Sequence, residues 1–146
     1  MAKVMIVPDP ALKPAGFAPA TKVGNMVFVS GQTGTNNNGL VTGTVHEQTQ
    51  QTFKNLETIL QAAGATMADV VKITCFLVRA SDYKGYAEER LKAFPADSQP
   101  ASSTLIVKAL ARPEFLVEIE AIAVISSWLS TESINQYSPA TEAAGV

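Results

Sequence analysis

From Val45 onward, apolar and small residues return at three- and four-residue steps through Thr49, Phe53, Leu56, Leu60 and Ala63. That is the period of one helix face. Thr44 followed by Glu47 spells a capping box, in which the two side chains satisfy orphan backbone donors at a helix start, and Gly64 supplies a left-handed stop. One long amphipathic helix packed on a sheet is predicted. Ahead of it, Phe17 to Ser30 reads as two short strands turning at Lys22-Val23-Gly24-Asn25, where Gly and Asn permit the positive φ of a tight hairpin. Met26-Val27-Phe28-Val29 is the second of these strands, and Gly31 to Gly39 follows as a polar, glycine-rich loop.

Beyond the helix, a turn at Ala65 to Asp69 leads into Val70 to Arg79, a strand apolar on both sides and therefore central. Ser81 or Asp82 caps a second helix running to about Phe94, which the Pro95 and Pro100 segment ends. Ser102 to Leu110 and Phe115 to Ile125 read as two further strands around Ala111-Arg112-Pro113-Glu114, where proline pre-sets a turn. The order strand, strand, helix, strand, helix, strand, strand predicts an α+β domain whose mixed sheet is covered on one face by two helices. Its second, partly apolar face needs a partner, most economically another copy of the chain. From Ser126 the Ser/Thr/Ala-rich sequence has no period and reads as a loosely ordered extension, residues 126–146, with Trp128 and Leu129 as its candidates for docking.

The 146 residues suit one domain, placed at 1–125, with a tail. A net charge of -2, from 11 Lys+Arg against 13 Asp+Glu, comes without a run of either sign, so neither nucleic acid nor an anionic membrane is an expected partner. The opening MAKVMIVPDP lacks the apolar length of a signal peptide or span, and a soluble, cytoplasmic protein is expected. Cys75, the single cysteine, lies inside an apolar run and reads as a packed strand residue. His46, the single histidine, has no companions at ligand spacing and reads as a surface residue, so no metal and no other cofactor is expected.

Three segments together carry a family resemblance: Val23-Gly24-Asn25-Met26 leading to Ser30-Gly31-Gln32; the helix end Ala62-Ala63-Gly64; and Pro100-Ala101-Ser102-Ser103 followed by Val117-Glu118-Ile119-Glu120-Ala121-Ile122-Ala123. Over about residues 14–125 the chain resembles the RidA/YjgF family, whose best-known members hydrolyse reactive enamines and imines. The resemblance implies a chorismate-mutase-like fold in a homotrimer, with small-molecule pockets at the subunit interfaces. It also implies that Glu118 positions the attacking water and that the backbone of Gly31 faces the ligand.

Four positions of that pattern are altered here. Ser102 stands where the deaminating members have a carboxylate-binding arginine, Thr104 where they have a cysteine, Phe17 where a tyrosine lines the pocket, and Ala87 where a helix carries asparagine. Removing one partner of a buried charge pair costs about 2–5 kcal/mol, so small 2-imino acids are expected to bind weakly. Lys72, Arg79, Lys108 and Arg112 are the candidates for a relocated cation. The expected function is therefore hydrolysis or deamination of an enamine, imine or related intermediate other than the usual 2-imino acids. The catalytic group is Glu118, and Phe17, Gly31, Ala87, Ser102 and Thr104 line the pocket. The alternative is a non-catalytic metabolite-binding or regulatory protein, and a ribonuclease would require a basic track or aromatic platform that the sequence lacks.

Overall fold

A computed structural model describes residues 1–11, 16–41 and 43–126. Strand β1 spans Val4–Ile6, β2 Ala20–Val23, β3 Met26–Thr33, β4 Val70–Leu77, β5 Ala101–Ile106 and β6 Val117–Val124; helix α1 spans Val45–Ala62 and α2 Tyr83–Ala93. They form one sheet in the order β1-β2-β3-β6-β4-β5, antiparallel except for the parallel pair β4 and β5. The last strand thus inserts at the centre, between β3 and β4, and carries Glu118 with it.

Both helices lie on one face, as the pattern predicted. Val27, Val29, Ile73, Leu77, Ile119 and Ala121 turn toward them and are buried with Phe53, Leu56 and Leu60 of α1. Phe53 meets Phe94 edge-on at 5.4 Å. The two helices approach so closely that a Cβ on Gly85 would come within 2.8 Å of Val45 Cγ1. Thr44 and Glu47 complete the predicted capping box. Among the described residues, no helix is long and apolar enough to cross a membrane.

Several local expectations are corrected. The two-residue hairpin between β2 and β3 places only Gly24 at positive φ, +57°, and Asn25 needs none. β3 continues through Gly31, Gln32 and Thr33, with a bulge between Val29 and Gln32, so the polar loop begins later than its composition indicated. Asp82 is the N-cap residue of α2, as one of the two expected candidates, but its side chain makes no capping bond; its carboxylate is held by Arg79 at 2.8 Å across a short 3-10 turn. β5 stops at Ile106 rather than Leu110, and β1 pairs with β2 although no strand was expected before Phe17. His46 is half-exposed and joins the helices through Glu89 at 3.1 Å. Burial alone would raise the buried Glu89 carboxyl, but His46, Gln50 and Lys92 together hold it below its ordinary value. Trp128 and Leu129, with the rest of the extension after Ser126, lie outside the described residues.

Cys75 is fully buried, and burial pushes its thiol up to about 12. A group that stays protonated and out of contact with solvent does not attack electrophiles. Iodoacetamide is therefore expected to leave the native protein unlabelled at pH 8 and to modify it stoichiometrically in guanidinium. Labelling of the folded protein at the rate of a free thiol would contradict this placement.

Candidate active site

Among the described residues, nothing covers the face of the sheet away from the helices. Side chains opposite one another in neighbouring strands share a face, and successive ones alternate. Ile73, Cys75 and Leu77 are buried under the helices, so Lys72, Thr74 and Phe76 point the other way. Glu118 pairs with Phe76 on one side and Thr33 on the other, and Glu120 pairs with Thr74. Both carboxylates therefore stand on the uncovered face, among the apolar side chains of Phe28, Phe76, Leu105 and Ile122. A shallow depression of about 210 Å³ lies there, bordered by Phe28, Lys72, Thr74, Glu120 and Ile122. Glu118 sits beside this depression rather than in its wall.

Two devices hold Glu118 in place. The bulge in β3 puts Gly31 against the Glu118 carboxyl, and a Cβ there would come within 2.9 Å of Glu118 Cδ, so only glycine leaves the space. From α1, the buried Gln48 donates to the Glu114 carbonyl at 3.1 Å and accepts from the Leu116 amide at 3.0 Å, fixing the chain where it enters β6. Asn55 does the same for the exit of β3, donating to the carbonyls of Thr33 and Thr35 at 3.0 and 2.8 Å.

Among the described residues, neither Glu118 nor Glu120 has an ion-pair partner. Lys72, which borders the same depression, donates instead to Ser103 Oγ at 2.7 Å. Partial burial raises the Glu118 carboxyl above its ordinary value, and the like charge of Glu120 adds to the effect. A half-buried carboxylate of this kind can exchange a proton with a water or a substrate nitrogen.

The other expected site residues are not on this face. Ser102 is in register with Ile73 and Thr104 with Cys75, so the two share a face as their spacing required, but it is the helix side. Ala87 lies on α2 above that same edge, next to Tyr86, whose hydroxyl neighbours Ser102 and Cys75. Phe17 is exposed ahead of β2. Within one chain the six residues thus fall into a carboxylate group, Glu118 with Gly31, and an edge group, Ala87 with Ser102 and Thr104, on opposite faces, with Phe17 apart. Of the proposed replacement cations, Arg79 is tied to Asp82, Arg112 to Glu114 and Lys72 to Ser103, and Lys108 has no carboxylate contact among the described residues. Sequence reasoning passed over Tyr86 and Arg90 on α2; their spacing from Tyr83 and Ala87 along one helix face was the available signal.

The family model described as Endoribonuclease L-PSP matches residues 10–125. A 2-iminobutanoate/2-iminopropanoate deaminase of Dermatophagoides farinae is 39% identical over 118 residues, covering 79% of this chain and 91% of its own length. Reactive Intermediate Deaminase A, chloroplastic, of Arabidopsis thaliana is 41% identical over 117 residues, covering 77% of this chain and 62% of its own. A crystal structure of a YjgF/YER057c/UK114 family member from Mycobacterium tuberculosis superposes with a TM-score of 0.73 at 30% identity, over 85% of this chain and 100% of that one. With its inserted central strand, its two helices on one sheet face and this breadth of similarity, the chain belongs to the RidA/YjgF family.

Proposed function

We propose that this protein hydrolyses an imine, enamine or related reactive intermediate at a site between subunits, with Glu118 as the acid/base group. The observation that carries this reading is a half-buried carboxylate with a raised pKa and, among the described residues, no ion-pair partner, seated against a glycine on a sheet face that those residues leave uncovered. In the reaction Glu118 takes a proton from water as the oxygen adds to the imine carbon, and returns it to the nitrogen. A second proton, from the hydroxyl of the resulting carbinolamine, passes through Glu118 to the nitrogen as the carbon–nitrogen bond breaks, so that ammonia leaves and a carbonyl remains. Two relatives named as deaminases support the reaction class.

The subunits assemble as a homotrimer in this proposal, because closing the uncovered face against a neighbour removes exposed apolar surface at Phe28 and Leu105 from water. It also lets the edge group of one subunit, Ala87, Ser102 and Thr104, complete the carboxylate group of the next. Position 102 offers a hydroxyl, so the substrate is anchored differently from a small 2-imino acid clamped by an arginine there. Two carboxylates on this face, without an ion-pair partner among the described residues, repel phosphate, which disfavours RNA as the substrate. A cytoplasmic location is part of the proposal, although relatives are named as chloroplastic and as mitochondrial.

The test is ammonia release from a panel of imines generated in situ by amino-acid and amine oxidases. Acceleration of at least one imine over the uncatalysed rate is expected, together with a trimer mass by sedimentation equilibrium. An assembled protein that accelerates none of them, yet binds the corresponding carbonyl product, is the metabolite-binding alternative, which the absence of an arginine at Ser102 favours.

A further inference from the structure

We propose that Arg90 is the anion-binding residue of this protein, presenting its guanidinium beside Ser102 to a planar carboxylate of the ligand; this rests on the interfacial site proposed above. The chain has three arginines. Arg79 is paired with Asp82 and Arg112 with Glu114, whereas Arg90 has no carboxylate partner among the described residues. Its nearest acidic neighbours on α2, Glu88 and Glu89, turn instead to His46, Gln50 and Lys92.

Arg90 is nonetheless held in place. Its guanidinium lies over the Tyr86 ring, 5.3 Å from the centroid, and beside the hydroxyls of Tyr83 and Tyr86. Tyr86 is fully buried, and its hydroxyl has Arg90, Ser102 and Cys75 around it, yet no hydrogen bond closes. An orphaned buried hydroxyl between a cation and a serine is costly in the protein alone and favourable when a bound group draws the surrounding polar atoms together. Ser102 is exposed and Arg90 only partly buried, so both remain open to a ligand or to the carboxylate group of a neighbouring subunit's site. Guanidinium is the side chain best matched to a planar carboxylate, which it grips through two parallel N–H donors. Tyr86 acts as a positioning residue, reached by neither ligand nor solvent.

The cation is thereby supplied from α2 rather than from β5, and the Arg79, Arg112, Lys72 and Lys108 candidates are set aside. Recognition requires an anionic ligand, so a neutral imine of the same size should bind poorly.

The experiment is an NMR titration of the intact protein with 2-oxobutanoate, the hydrolysis product of 2-iminobutanoate, and with neutral butanone as comparator. Wild type should bind the oxo acid and not the ketone. Arg90→Ala should weaken oxo-acid binding by about 10- to 100-fold, Arg90→Lys by less because it keeps the charge without the fork, and Arg79→Ala not at all. Tyr86→Phe should keep the wild-type melting temperature while weakening the oxo acid, an effect that a purely structural tyrosine would not produce. Equal affinity of wild type and both Arg90 variants, or equal binding of ketone and oxo acid, would overturn the assignment. Because the readout is binding, it remains decisive even for a protein that hydrolyses no imine, and the two failures are distinguishable.

Discussion

Replacing Glu118 by Gln is expected to lower the turnover of any accelerated imine by about 10²- to 10⁴-fold, the usual contribution of a general acid/base. KM should change far less, because the amide keeps the size of the carboxyl and the space that Gly31 leaves for it. The pH dependence carries its own signature. Burial, reinforced by Glu120, raises the Glu118 carboxyl, so the acidic limb of the rate profile should lie above the ordinary carboxylate range of about 4. Glu120→Gln removes the like charge and should shift that limb downward.

The same shift fixes a sign for stability. A carboxyl whose folded pKa exceeds its unfolded value binds its proton more tightly in the fold, so stability falls as pH rises from the unfolded pKa through the folded one. Glu118→Gln should therefore melt higher than wild type at pH 7 and together with it below about pH 4, at equal protein concentration. A Gln variant that keeps full activity would remove Glu118 from the chemistry. One that melts lower at neutral pH would mean that its carboxylate is stabilised rather than strained by its surroundings.

Gln48→Leu should be among the most damaging substitutions of a polar residue. It leaves the partly buried Glu114 carbonyl and Leu116 amide without their partner beneath α1, and a group orphaned out of reach of water costs about 1–3 kcal/mol. The expected loss is about 2–5 kcal/mol in urea unfolding, against less than about 0.5 kcal/mol for the exposed control Gln61→Leu. Since the freed segment runs directly into Glu118, activity per folded molecule should fall as well. An unfolding midpoint within error of wild type would show that water replaces the glutamine amide at no cost.

The relation between Gln48 and Glu118 marks where sequence reading stopped. Gln48 sits on the buried side of α1, where its amide interrupts an otherwise apolar or hydroxyl-bearing surface, and the residues it holds are 66 and 68 positions away. Nothing local signals such a pairing. The bulge that brings Gly31 to Glu118 is similarly invisible, because extra residues in a strand are recognised only against the partner strand. Only the family resemblance connected Gly31 with Glu118 in advance.

What the sequence determined by itself are the features that repeat over short distances. The three-and-four spacing of α1, its Thr44 and Glu47 cap, the apolar run of β4 and the two-residue alternation in β6 all follow from side chains a few positions apart, and each of these elements formed there, although the strands end earlier than their sequences indicated. That Ser102 and Thr104 share one face, and that Glu118 and Glu120 share one, was legible for the same reason. Which sheet face each pair occupies was not, because it depends on β6 inserting between β3 and β4 and on β5 joining the far edge beside β4. Only that register sets the carboxylates on the open face and the hydroxyls on the helix side, next to Tyr86 and Arg90. A period says how residues stand relative to their own neighbours in the chain; long-range packing decides what they stand against.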